Sequence, residues 1–353
     1  MPIPPFKKKP SGPKGLSLAL QGGGAHGAFE WGVLDRLLEE QDIEIRAVTA
    51  ASAGAMNAVC LAQGLIDGGR DGARQRLDSF WRQVNRQGGR NVFGDTSIWT
   101  NAFAGSADWI KNTPGWRMAE TLALSFSPYE FNPFNLNPLH DTLEAEITFS
   151  QIRENSPIKL FIAATAIRTS KAKVFRETEL TARHIMASAC LPQVFQAVEI
   201  DGEPYWDGGF LANPPLWPLF YDETPDDILL VSLNPFVREE TPRTPGEIMD
   251  RLNEITFNAA LASELRAIGF VQKLLDEGLL KDNARGRYRR MLMHAITADK
   301  ALADLSLGSK FDTEWSFLTD LRERGRKAAD DWLGRCLGQV GESSSLDLRV
   351  GFP

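Results

Sequence analysis

Apolar positions along this chain switch between two periods, and the switches mark its elements. Leu16-Ser17-Leu18-Ala19-Leu20 is an apolar run of strand length. From Ala28 to Glu40 the apolar positions Phe29, Val33, Leu34, Leu37 and Leu38 recur at helical spacing. Ile43 to Thr49 alternates and is β-branched enough to predict a second strand. Ala53 to Gln63 is small, apolar and free of proline, which predicts a buried helix, and a further helical stretch covers Asp71 to Arg86. Pro157 to Ala166, Ala172 to Phe175 and the apolar run Asp227 to Leu233 read as more strands.

In Thr244-Pro245-Gly246-Glu247, a threonine N-cap, proline at the first helical position and glutamate at the third open a helix. It heads towards Leu275, with Gly269 as a candidate break. A last helix spans about Thr313 to Leu333, with Trp315, Leu318, Ala329 and Trp332 available for one face. Strands joined by helical crossovers predict an α/β fold: a mostly parallel central sheet flanked by helices on both faces, with C-terminal helices added.

Three of the predicted turns carry candidate chemistry. Gln21-Gly22-Gly23-Gly24-Ala25-His26-Gly27 joins the first strand to the first helix. A glycine-rich turn there exposes several N–H groups in a concave nest suited to an anion. Gly22, Gly24 and Gly27 also satisfy the spacing of a dinucleotide loop. The acid such a site needs fits poorly, because Asp42 and Glu44 stand at the start of the second strand. In Ala50-Ala51-Ser52-Ala53-Gly54, a serine stands at a sharp strand-to-helix junction among residues with little side chain. That is the geometry of a nucleophile elbow, and the first N–H groups of the following helix are free to meet a developing oxyanion. The plainer reading of Ser52 is a helix N-cap. Val198 to Glu203 reads as a strand entering a tight Asp201-Gly202 turn, and Asp207-Gly208-Gly209 follows the return strand as a loop.

Taken together these segments resemble the patatin-like phospholipase family. Ala187-Ser188-Ala189-Cys190-Leu191-Pro192 strengthens the resemblance, which runs from residue 15 to about 235. It implies a three-layer patatin-like fold and a Ser–Asp dyad, with Ser52 as nucleophile and Asp207 as its partner. It implies an oxyanion hole from the backbone around Gly22, Gly23 and Gly24, joined by Ala53. Gly27, Ala50, Gly54, Gly208 and Gly209 carry the supporting motifs. The chain departs from the family pattern in two places: Ala50 stands where the elbow motif has glycine, and His26 where the family often has Arg or Lys. A histidine supplies positive charge there only when protonated. The expected function is lipid acyl hydrolysis: a phospholipase A, lysophospholipase or carboxylester hydrolase working through an acyl-enzyme. A non-catalytic lipid-binding or regulatory relative is the first alternative, motivated by Ala50 and His26, and a nucleotide-binding protein the second.

Composition narrows the partners. A net charge of −7 excludes a nucleic-acid binder as the leading reading. The four histidines, His26, His140, His184 and His294, have no metal-ligand spacing, so neither metal nor cofactor is expected. Cys60, Cys190 and Cys336 are few, odd in number and scattered, as in a reducing compartment. Residues 1–14 read as a disordered basic, proline-rich tail without a signal-peptide run, residues 15–235 as the catalytic domain, and residues 236–353 as a mainly helical extension. A cytoplasmic location follows, with peripheral contact at a membrane surface left open. Residues 93–134 hold nine aromatics in 42 positions, more than twice the chain-wide 9%. Residues 93–140 are therefore a candidate cap over an acyl pocket.

Overall fold

The computed structural model describes residues 12–88, 127–279, 288–305 and 307–348. Among the described residues the sheet has eight strands. Five run parallel in the order β8 (Leu292–Thr297), β7 (Asp227–Ser232), β1 (Lys14–Leu20), β2 (Ile43–Ala50) and β3 (Lys159–Ala166). β4 (Lys171–Arg176) pairs antiparallel with β3, and so does β6 (Glu203–Asp207), which also forms a hairpin with β5 (Val198–Ile200). The hairpin turns at Asp201 and Gly202, both with positive φ, as the Asp-Gly pair predicts.

Side chains alternate across a strand, and β1 divides the core accordingly. Leu16, Leu18 and Leu20 join one cluster with Phe29 and Trp31 of α1 (Gly27–Leu37) and Trp332 of α9 (Trp315–Cys336). Ala19 points the other way and joins Phe161, Ile228 and Leu230 against Leu261, Leu265 and Ile268 of α8 (Pro245–Asp276). The sheet is thus the middle of three layers. Helices α1 and α9 cross with almost no space between backbones. A Cβ on Gly32 would lie 1.9 Å from the Arg322 carbonyl oxygen, and one on Gly325 2.0 Å from that of Phe29. Arginines on the same helices close over Asp35, which pairs with Arg74 at 2.7 Å, with Arg322 at 2.8 Å, and with Arg326.

Several boundaries differ from the sequence reading for physical reasons. The two predicted helices 53–63 and 71–86 form one element, α2 (Ala53–Gly88), interrupted only where Gly68 and Gly69 leave helical angles. Helix α8 runs through Gly269 without a break, and the glycine instead makes room for Leu348, whose Cβ lies 3.3 Å from where a Cβ at 269 would stand. Strand β8 has no counterpart in the sequence reading. Met293 packs on one face of the sheet and Ile296 on the other, so the strand is buried on both sides and shows no apolar–polar alternation. Between β2 and β3, α2 is followed among the described residues by α3 (Pro128–Phe131), α4 (Pro138–Glu146) and α5 (Phe149–Asn155). Most of the candidate cap, residues 93–126, lies outside the described residues, as does the basic tail up to residue 11. Helices α6 (Ala182–Ser188) and α7 (Pro218–Tyr221) complete the chain order.

Candidate active site

Strand β3 brings the two candidate residues together. From Phe161 to Ala166 it pairs with β4 on one edge. The other edge is shared. β2 occupies it as far as Ala50, opposite Ile162, and β6 occupies it from Ala164, opposite Asp207. The two strands run head to head, and their ends meet beside Ala163. Ser52 lies two residues past the end of β2 and Asp207 is the last residue of β6, at the strand end rather than in the loop beyond. Gly208 lets the second end come so close, since a Cβ there would sit 2.3 Å from the Ala163 carbonyl oxygen.

Ser52 has φ of 54°, the left-handed region that a side chain with a Cβ rarely adopts. Such strain costs on the order of 1–3 kcal/mol and persists only where the surroundings hold it. Ser188 holds it: its Oγ accepts the Ser52 N–H at 3.0 Å. Two residues on, the Cys190 carbonyl accepts the Asp207 N–H at 2.8 Å. The Ala187-to-Pro192 segment therefore clamps both candidate residues by their main chains.

Asp207 has no exposed surface. Its Oδ1 accepts the Gly209 N–H at 2.7 Å, while Oδ2 is buried without a fully formed hydrogen bond. Burial pushes its pKa from 3.8 up to about 6, against the smaller opposing pulls of the Gly209 N–H, the Ser52 hydroxyl and the Lys310 charge. A carboxylate held this way is a stronger base than a solvated one.

The glycine loop after β1 packs against the serine. A Cβ at Gly22 would lie 2.7 Å from Cβ of Ser52. The Gly22 N–H is already taken, donating to Asn213 Oδ1 at 2.6 Å. It therefore cannot serve an oxyanion in this arrangement, which corrects its inclusion among the donors. The N–H groups of Gly23, Gly24 and Ala53 have no acceptor among the described residues. Below the loop, Gln21 Oε1 gathers the N–H groups of Leu233 and Asn234 at 2.7 and 2.8 Å. Asn234 in turn donates to the Gly22 carbonyl at 3.1 Å.

The supporting residues sort by contact. Gly27 lies against Ala53, Gly54 against the Leu20 carbonyl, and Gly209 against the Phe257 ring. Ala50 is buried in the core cluster, so its extra methyl packs in the sheet. His26 is buried with Nε2 2.7 Å from Ser309 Oγ. Burial, then the nearby Lys310 charge, lowers its pKa to about 3, so it is neutral and supplies no cation. Sequence reasoning missed Asn213, Asn234 and Lys310 as parts of the site. Asparagines after strands are common turn residues, and nothing local marks these two. The other histidines lie elsewhere: His184 bonds Thr181, and His294 bonds Asp227 and Ser345. Among the described residues no group of three or more His, Cys, Asp or Glu is arranged to hold a metal ion, and no helix is long and apolar enough to cross a membrane.

Comparison with solved structures finds VipD from Legionella pneumophila at 16% identity and a TM-score of 0.43, covering 91% of this chain and 66% of that one. The heterodimeric ExoU–SpcU complex from the type III secretion system of Pseudomonas aeruginosa follows at 17% identity and a TM-score of 0.34, covering 92% of this chain and 60% of that one. This chain thus spans under two thirds of the length of either. No curated protein matches it. The family model described as patatin-like phospholipase matches residues 18–220, which include the glycine loop, the elbow and Asp207; the chain belongs to the patatin-like phospholipase family.

Proposed function

We propose that this chain is a serine lipid acyl hydrolase that cleaves carboxylic ester bonds of lipids with a Ser52–Asp207 dyad. One observation carries the reading: a strained serine and a buried carboxylate, one of whose oxygens lacks a fully formed hydrogen bond, meet at the facing ends of β2 and β6. A serine hydroxyl is a poor nucleophile until a base accepts its proton during attack. Asp207 Oδ2 takes that proton as Ser52 Oγ adds to the ester carbonyl. The tetrahedral oxyanion is received by the N–H groups of Gly23, Gly24 and Ala53, each worth about 3 kcal/mol of barrier. Asp207 returns the proton to the departing alcohol, leaving an acyl-enzyme. It then takes a proton from water, which attacks the acyl carbon, and passes that proton to Ser52 Oγ as the fatty acid leaves, which restores the free serine and the carboxylate.

Family membership supports lipid hydrolysis in general, and the dyad is the finer claim of this reading. The buried free thiols of Cys60 and Cys190 support a reducing, cytoplasmic setting, with lipid met at a membrane surface. The deciding experiment combines fluorophosphonate labelling with a lipid digest. Wild type is expected to label at Ser52 and to release fatty acid from phospholipid or lysophospholipid vesicles, and Ser52→Ala to do neither. A folded wild-type protein that neither labels nor releases fatty acid from any lipid offered would overturn the reading.

A further inference from the structure

A cation reaches the glycine loop from residue 310, well outside the segment 18–220 that carries the family match. Lys310 belongs to a short 3-10 turn, Leu307–Phe311. The turn lies directly on the loop: a Cβ at Gly24 would sit 2.5 Å from the Lys310 carbonyl oxygen. Lys310 Nζ donates to Asn234 Oδ1 at 2.5 Å, and Asn234 Nδ2 donates to the Gly22 carbonyl at 3.1 Å. That carbonyl and the Gly23 N–H belong to one peptide unit, which is trans. In a planar trans unit the two groups point in opposite directions. Holding the oxygen on the Asn234 side therefore presents the Gly23 N–H on the other. A hydrogen bond to the oxygen, strengthened by a charge behind it, also polarises the N–H.

Resting on the acyl-hydrolase reading, we propose that Lys310 is a positioning residue for the reaction. Acting through Asn234, it orients and polarises the Gly22–Gly23 peptide so that the Gly23 N–H receives the oxyanion formed at Ser52. The relay is held at each joint. The Asn234 N–H is fixed on Gln21 Oε1 at 2.8 Å, and its carbonyl accepts from Asn258 of α8 at 3.3 Å. His26 does not share the task, because it is neutral. The charged groups around the ammonium are Asp250 and Glu254 of α8, Arg238, and Asp207 across the site. Burial outweighs the three carboxylates and lowers Lys310 to about 8, so it carries its charge at neutral pH and loses it in mild alkali.

The test compares wild type with Lys310→Met, Lys310→Arg and Asn234→Ala on a soluble short-chain nitrophenyl ester across the pH range. Lys310→Met is expected to lower kcat about tenfold with KM unchanged. It should also abolish the fall in kcat that wild type shows above about pH 8. Lys310→Arg should recover most of the rate. Asn234→Ala should match the loss in Lys310→Met, and the double variant should lose little more. A second measurement needs no turnover: in glycine-labelled protein the Gly23 amide resonance should titrate near pH 8 in wild type and stay fixed in Lys310→Met. Wild-type kcat and pH profile in Lys310→Met, with Ser52 still labelled by fluorophosphonate, would overturn the proposal and leave the hydrolase reading standing. A Gly23 amide blind to the titration would do the same. Wild-type protein that neither labels nor turns over would remove the hydrolase reading, and the role given to Lys310 with it.

Discussion

Asp35 and Asp207 are both buried aspartates, at 2% and 0% exposure, and the protein treats them in opposite ways. Asp35 sits where α1, α2 and α9 meet, covered by the side chains of Arg74, Arg322 and Arg326. Hydrogen bonding and the charges of these arginines outweigh its burial and hold its carboxyl below the usual range. Asp207 sits at a strand end among small residues, with one backbone N–H on one oxygen and no full bond on the other. Burial wins there, and the pKa rises to about 6. Burial alone therefore does not assign a role. The supply of partners does: a paired carboxylate ties helices together, and an under-satisfied one is left with basicity to use.

The contrast breaks most sharply at Ser52. Ser52→Ala is expected to lower ester turnover by about 10⁴-fold while the fold survives, as read by kcat and by the melting temperature. Next comes Asp207→Asn, with a loss of about 10³-fold in kcat. The same variant is expected to gain stability. Because the fold raises the Asp207 pKa from 3.8 to about 6, its contribution is complete in the protonated form. That contribution is lost as pH rises from about 4 to about 6, roughly 3 kcal/mol by neutral pH. An asparagine escapes most of that loss, so chemical denaturation at pH 7 should show Asp207→Asn about 2 kcal/mol more stable than wild type. A destabilised Asp207→Asn with full activity would erase the distinction between the two aspartates.

The pH profile sharpens the same point. With Asp207 as base, kcat should fall about tenfold per unit below about pH 6. Asp35 carries the opposite sign. Its lowered pKa means a stabilisation that is present at neutral pH and lost only as pH falls through the lowered value. Asp35→Asn should cost about 3–5 kcal/mol in a denaturation curve and leave kcat unchanged. The smallest expected effect is at the helix crossing beside it. Gly32→Ala forces a methyl onto the Arg322 carbonyl and should cost about 1–3 kcal/mol, again without touching kcat.

The sequence alone disclosed a good deal of the parallel sheet, and unevenly. β1, β2 and β7 were legible because short apolar runs bounded by glycine or charge leave few other readings, and the Thr244 capping box announced α8. β8 was not, because a strand buried on both faces carries no alternation, and its Leu292, Met293 and Ala295 also suit a helix. Ser52 stood out through the small residues around it, and Asp207 through the two glycines behind it. Asn213, Asn234 and Lys310 left no local mark, since each acts on a loop far from its own position in the chain.

What the sequence determined by itself was local: where the chain turns sharply, which residues are small enough to turn there, and which short runs must be buried. Those properties depend on neighbours a few positions apart. Only the tertiary structure decided what charges the site holds. It made His26 neutral, raised Asp207, and brought a lysine from residue 310 to a loop at residue 22. Proton affinity depends on desolvation and on partners in space, and neither can be read until distant segments have packed.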